Sequence, residues 1–301
     1  MAKDAGRNQV QILDIEDERV KRSRQDLLQL NQILNAIDES RFLLYFQSIV
    51  PLQKQDNPTK LIEIQVRMDT DDGEILSRDE FNPLVQQYHL QSHLDKWMLR
   101  EITRLFYDNA HELESTDLCM LQISDESLKD ESFRSFVDEL LQDNPLLGKR
   151  LCFEINESAA NSSFELTNLF IEKLKNHHVS FALDEFGTSH SSSEHLDSLN
   201  VDYLKINGAL VKDLLNSPCD MATVKSILDV GIKSEKAIIA EMVESEETEE
   251  YLTDIGVAYA QGDLYTKAAP LLANKSNAKT VDSEKNSSIE ADFQQELDQA
   301  V

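Results

Sequence analysis

The 301 residues include 56 acidic and 29 basic side chains, for a formal net charge of −27, and 41% of the sequence is hydrophobic. That apolar content is enough for one large core or two modest ones. The charge excludes binding DNA or RNA through a basic surface, because phosphate contacts need clustered Lys and Arg; a phosphate-bearing ligand must be met locally, as in a carboxylate-rich pocket filled with divalent cations.

Taken in chain order, the first predicted element is a helix from Glu16 to Ile37, with Leu27, Leu30, Leu34 and Ile37 spaced by three and four beneath a charged face. Such a seam either lies on the body of the protein or pairs with another helix as a dimerising connector. Eight β-like runs follow: Phe42–Ile49, Leu61–Met68, Leu118–Ser124, Leu151–Ile155, Ser180–Asp184, Tyr203–Ile206, Ala237–Glu241 and Val257–Gln261. Helical stretches between them fall near His93–Asn109, Ser127–Gln142, Phe164–Asn176 and Ala222–Ile232. Alternation of this kind predicts a parallel β/α barrel. A doubly wound open sheet is the alternative, but no Gly-rich phosphate turn follows the first strand.

Beyond Pro270 the periodicity fades into an acidic tail rich in Ser and Gln, expected to be disordered apart from a short helix around Ile289–Leu297. Cys119, Cys152 and Cys219 form no C-x-x-C pair, which suggests neither a disulfide framework nor a zinc ribbon and fits a reducing cytoplasm. The segment Met1-Ala2-Lys3-Asp4 lacks the apolar core of a signal peptide, and no stretch approaches the roughly 18 apolar residues of a membrane span, so no membrane contact is expected.

Strand faces carry the chemistry. Ile62, Ile64, Val66 and Met68 alternate with Glu63, Gln65 and Arg67. In a barrel the apolar face packs on the outer helices, so the polar face points inward, where charges need partners. Gln122 and Ser124, Glu154 and Asn156, and Lys205 repeat the pattern, and Asp184-Glu185, Glu241 and Gln261 stand at later strand ends. One such residue is commonly a helix cap or turn former. Carboxylates from several strands meeting at one barrel mouth are what a two-metal hydrolase needs.

These segments resemble the motifs of the EAL phosphodiesterase family. Glu63-Ile64-Gln65-Val66-Arg67 stands at the place of E-A-L-L-R, and Glu154-Ile155-Asn156-Glu157 at that of E-x-T-E. Leu183-Asp184-Glu185-Phe186-Gly187-Thr188 resembles L-D-D-F-G-T, and Val201-Asp202-Tyr203-Leu204-Lys205-Ile206 resembles V-D-x-x-K-I. Ala240-Glu241-Met242-Val243-Glu244 resembles A-E-G-V-E, and Gln261-Gly262 resembles Q-G-Y. The resemblance implies a (β/α)8 TIM-like barrel of the EAL type over residues 40–270, preceded by a linker helix at 16–39 and followed by the tail at 271–301. Ala2-Lys3-Asp4-Ala5-Gly6-Arg7-Asn8-Gln9-Val10 also resembles the close of GGDEF domains, so residues 1–15 are expected to be such a remnant. Upstream GGDEF or sensory domains would then precede the chain in a longer protein.

The family cleaves cyclic di-GMP to pGpG with two Mg²⁺ or Mn²⁺ ions. By position, the resemblance implies Glu63, Gln122, Glu154, Asp184 and Glu185 as metal ligands, Lys205, Glu241 and Gln261 as catalytic groups, and Gln47, Arg67 and Asp184 as substrate contacts. Glu157 would steady the loop after Asp184, and a homodimer is implied by the loop from Phe186 to Ser193. Two ligands depart from the pattern, Gln122 for Asn and Glu185 for Asp, each moving its donor oxygen by about 1.5 Å. Mg²⁺ demands near-ideal octahedral geometry. Gln65 for Leu, Ser189 for Gly, Asn207 for Asp, Met242 for Gly and Asp263 for Tyr depart further. Weak or absent turnover is therefore expected, the alternatives being a non-catalytic cyclic di-GMP receptor and an interaction scaffold that binds no nucleotide.

Overall fold

The computed structural model describes residues 41–54, 56–70, 72–108, 116–187 and 196–271, together with positions 33 and 36 of a helix. The expected GGDEF remnant, nearly all of the linker helix, most of the loop from Phe186 to Ser193 and the tail beyond residue 271 lie outside the described residues. Two compact units account for the rest, one holding residues 44–66 and 89–271, the other 33, 36, 41–43 and 67–88.

The strands, in chain order, are β1 (Phe42–Pro51), β2 (Leu61–Asp69), β3 (Ile75–Ser77), β4 (Leu118–Ile123), β5 (Leu151–Asn156), β6 (Ser180–Phe186), β7 (Tyr203–Ile206), β8 (Ala237–Ala240), β9 (Tyr259–Gln261) and β10 (Ala269–Pro270). Among the described residues, eight of them run in the order β1-β9-β8-β7-β6-β5-β4-β2, and β1 also pairs with β2, which closes the barrel. These eight are the eight runs marked out by sequence alternation. The expected parallel barrel is corrected at one strand: β1 runs antiparallel to β9, with Ile49 opposite Gln261. Only residues 52–60 separate β1 from β2, too few for a parallel crossover of about a dozen residues.

The helices of the larger unit are α2 (Gln91–Asp108), α3 (Asp125–Lys129), α4 (Glu131–Asp143), α5 (Glu157–Ser162), α6 (Phe164–Lys175), α7 (Gly208–Lys212), α8 (Pro218–Lys233) and α9 (Glu246–Ile255); α1 (Arg78–Gln87) belongs to the smaller unit. The single helix expected over Ser127–Gln142 is two, because Asp130 breaks it and caps the second by accepting from Ser132 N at 2.8 Å. Ser217 caps α8 in the same way, with Pro218 opening the first turn. No described helix is long and apolar enough to cross a membrane.

Strand period separates two layers. Ile49, Leu61, Leu118, Met120, Cys152, Ala182, Ile239 and Tyr259 form one buried apolar cluster, with Tyr203 packed against it. Two residues further along each strand, on the same face, stand Glu63, Gln122, Glu154, Asp184, Glu241, Gln261 and Lys205. The reversed direction of β1 puts Gln47, rather than a residue after Ile49, at that level. The other strand face meets the helices: Phe153 stacks on Phe170 with centroids 6.2 Å apart, and Phe181 meets both edge-on.

Gly262 shows how closely the segments after β8 and β9 approach. Val243 N donates to the Gln261 carbonyl at 2.9 Å, and a Cβ on Gly262 would lie 2.1 Å from the Val243 oxygen and 2.4 Å from its nitrogen. Backbone on both sides leaves no side chain to yield. Gly262→Ala is expected to lower stability by about 1–3 kcal/mol in urea denaturation.

In the smaller unit the end of β2 pairs with β3, Arg67 opposite Ser77. The Ser77 N–H and hydroxyl each donate to Glu80 at 2.7 Å, closing the start of α1, and Phe42 packs on Phe81 with ring centroids 5.7 Å apart.

Candidate active site

Lys205, fully buried on β7, is the hub of the polar layer. Its Nζ lies 2.7 Å from Glu154 Oε1, 2.8 Å from Glu241 Oε1 and 3.5 Å from Glu63 Oε1. Strands β2, β5 and β7 each contribute one of these side chains, Glu241 directly follows the end of β8, and only barrel closure brings β2 to the others. Gln261 Nε2 donates to Glu63 Oε2 and, at 3.0 Å, to Gln47 Oε1. Gln65 Nε2 also donates to Glu63 Oε2, at 3.2 Å.

On the other side, Gln122 Nε2 donates to Asp184 Oδ2 at 3.4 Å, and Asn156 Nδ2 donates to Glu185 Oε2 at 2.5 Å. Glu185 adopts a left-handed backbone, φ 54°, and its exposed side chain meets Asn156. Glu157 is buried and accepts from Gly187 N at 3.1 Å.

The structure therefore gathers Gln47, Glu63, Glu154, Lys205, Glu241 and Gln261 in one network, joins Gln122 to Asp184, and turns Glu185 to Asn156. Arg67 belongs to the smaller unit. The amide of Gln65 was missed as a holder of Glu63; its place two residues after Glu63 on the polar face of β2 was the available signal. Asn156 likewise serves twice, capping α5 through Ser158 N at 2.9 Å and donating to Glu185.

Electrostatics set the protonation of this network. Burial pushes the Glu154 carboxyl well above its ordinary value; Lys205 opposes this, while Glu63 and Asp184 reinforce it. Burial pulls the Lys205 ammonium down, but Glu154, Glu241, Glu63 and Asp184 outweigh that and raise it well up. For Glu63, burial raises the carboxyl, yet Lys205 and the amides of Gln261 and Gln65 leave it below its usual value.

Burial lifts Glu241 from 4.5 to about 7, against the pull of Lys205 and helped by Asp184 and Glu63. Because the folded value is the higher, the folded protein holds an extra proton between the two, and the stability it confers is lost as pH rises through about 7. Without divalent ions, the Tm is expected to decline from about pH 4.5 to 7 in calorimetric scans. Glu241→Gln should flatten that decline.

Glu63, Glu154, Asp184 and Glu241 place four carboxylates around a single ammonium. Glu154 Oε2, fully buried, and Gln261 Oε1 have no hydrogen-bond donor among the described residues. An excess of oxygen ligands, two of them buried without a hydrogen-bond donor among the described residues, fits a hard divalent cation. As they stand, no three His, Cys, Asp or Glu side chains among the described residues converge on an ion position. Lys205 holds the centre, and a cation would have to draw carboxylates away from it.

The described strands and helices define the class of closed eight-stranded β/α barrels, here with a polar layer at the strand ends. Within that class, the sequence matches the EAL domain over residues 30–268, and the chain belongs to the EAL family. It is 31% identical over 239 residues to the cyclic di-GMP phosphodiesterase PdeA of Borreliella burgdorferi, covering 79% of this chain and 35% of that protein. It is also 31% identical over 270 residues to the cyclic di-GMP phosphodiesterase PdeB of Shewanella oneidensis, covering 90% of this chain and 31% of the relative. The chain thus spans about a third of the length of these curated relatives. Among solved structures, the FimX EAL domain from Pseudomonas aeruginosa bound to c-di-GMP shares the fold, with a TM-score of 0.72, 23% identity, and coverage of 82% of this chain and 99% of that one.

Proposed function

We propose that the polar layer binds cyclic di-GMP together with Mg²⁺ or Mn²⁺ and hydrolyses it slowly to pGpG. The observation that carries this reading is the Lys205 hub, one buried ammonium shared by Glu63, Glu154 and Glu241, with a buried Glu154 oxygen still lacking a donor. Glu63, Glu154 and Asp184 would hold the cation, with Gln122 and Glu185 beside them. When bound, such ions lower the pKa of water and neutralise a phosphodiester. Lys205 keeps its proton in its acidic surroundings and orients the carboxylates, while Gln261 and Gln47 hold Glu63 in place. Arg67 is proposed to meet a ligand phosphate. A homodimer in the cytoplasm, with GGDEF or sensory domains upstream, completes the proposal.

A second reading, a receptor without turnover, is favoured by the engagement of Gln122 with Asp184 and of Glu185 with Asn156, since both lengthened side chains are tied to neighbours. Incubation of cyclic di-GMP with Mg²⁺ or Mn²⁺, followed by chromatography for pGpG, separates the two readings; calorimetry with the nucleotide tests binding. Gln122→Asn combined with Glu185→Asp is expected to raise turnover by at least about tenfold, because a misplacement of roughly 1 Å can cost a hundredfold. Affinity should change little, since ion geometry acts mainly on charge developing in the transition state. Turnover that stays flat in a folded, nucleotide-binding double variant would clear these two positions of blame.

A further inference from the structure

The first turns of α2 carry a polar cluster that the site chemistry does not use. Asp95 is wholly buried there, and its Oδ2 accepts from Ser124 N at 2.9 Å and from the Ser127 hydroxyl at 2.8 Å. Ser124 Oγ in turn accepts from Ser127 N at 3.1 Å and donates to Ser127 Oγ at 2.9 Å, capping α3. Nearby, Ser92 donates to Asp130 Oδ2 at 2.6 Å and Lys96 Nζ to Ser132 Oγ at 2.9 Å, which ties α2 to the start of α4.

Ser124 is where β4 leaves the sheet. Ladder pairing with β5 ends at Ile123 opposite Ile155, so the next N–H, that of Ser124, bonds to a side chain from another element. One step back on the same strand face is Gln122, opposite Glu154 in register and bonded to Asp184. A carboxylate receiving two donors on one oxygen is a charge-assisted anchor, roughly twice as strong as a neutral one. It acts on backbone, where a shift carries Gln122 with it.

We infer that Asp95 is a positioning residue for Gln122: its buried carboxylate fixes the end of β4 so that the Gln122 amide reaches Asp184. The inference rests on the proposed function, because Gln122 registers only through the cation and nucleotide. Ser92→Ala serves as the structural control, since it loosens the same helix through the α4 cap and leaves the Ser124 anchor intact.

The test is a thermal-shift titration of the protein with Mn²⁺ at saturating cyclic di-GMP, read as the Mn²⁺ concentration giving half the maximal shift. Asp95→Asn should raise that concentration about tenfold, the lower end for residues that orient metal ligands. Ser92→Ala should leave it unchanged. In a Gln122→Ala background, Asp95→Asn should add nothing further, because the group it positions is gone. Equal effects in both backgrounds, or no effect in either, would overturn the inference. Should Asp95→Asn fold poorly, Ser127→Ala, which removes one of the two donors, must show the same dependence on Gln122, and its absence is equally fatal. A wild-type protein that shows no Mn²⁺- and nucleotide-dependent shift would instead defeat the functional reading itself.

Discussion

Lys205→Met is expected to destabilise the protein by about 3–5 kcal/mol at pH 8 without divalent ions, the usual cost of removing one partner from a buried charge cluster. Methionine fills a similar volume but leaves Glu63, Glu154 and Glu241 facing one another with no ammonium between them. Protonation offers a partial escape. Burial already lifts Glu154 and Glu241, so both take up protons as pH falls, and the deficit against wild type should shrink toward pH 5. Mn²⁺ offers another, by supplying the missing positive charge. Urea denaturation at pH 5 and 8, with and without Mn²⁺, measures all of this, and a deficit independent of both pH and Mn²⁺ would mean that lost packing, not lost charge, is the cause. Hydrolysis of cyclic di-GMP should fall about a hundredfold even where Mn²⁺ restores the fold, because the ammonium that orients the carboxylates is gone and a misplacement of roughly 1 Å can cost about that much.

Glu154→Gln should separate stability from function. The carboxyl sits above its ordinary value because burial penalises its charge more than Lys205 relieves it. The stability that its proton confers is therefore lost as pH rises, and the neutral isostere is spared that loss. The variant should be at least as stable as wild type without metal, with an advantage that grows with pH. Ligand binding should move the other way. Glu154 supplies the buried oxygen that lacks a donor, so its replacement should cut the Mn²⁺-induced thermal shift by more than half and turnover by about a hundredfold or more. A variant that loses stability yet keeps its Mn²⁺ response would show that Glu154 is a structural partner of Lys205 and not a cation ligand.

These opposite signs follow from what the polar layer is. Its carboxylates outnumber the ammonium, and each is lodged above an apolar floor that withholds water. Period-two alternation made the polar face legible in the sequence: Glu63 stands between Ile62 and Ile64, Glu154 between Phe153 and Ile155, and Lys205 between Leu204 and Ile206, whereas the apolar floor on that same face did not show in it. Short helices were less legible. The strand ends at Asn156 and Asn207 hide α5 and α7, since an Asn cap followed by five or six residues has too little length to show a period. The turn at Asp130 did leave a local signal, because the apolar spacing breaks there: positions three and four after Leu128 are Glu131 and Ser132, and the next apolar residue is Phe133.

The sequence by itself determined which side chains share a strand face and that acidic groups crowd strand ends, because both follow from the local geometry of an extended chain. Only the tertiary structure decided that β1 enters reversed, that Lys205 stands between three carboxylates from three strands, and that Glu185 turns to Asn156 while Gln122 meets Asp184. Those facts depend on barrel closure and on the register between strands far apart in the chain, and no periodicity within one strand encodes which residue of another strand it will face.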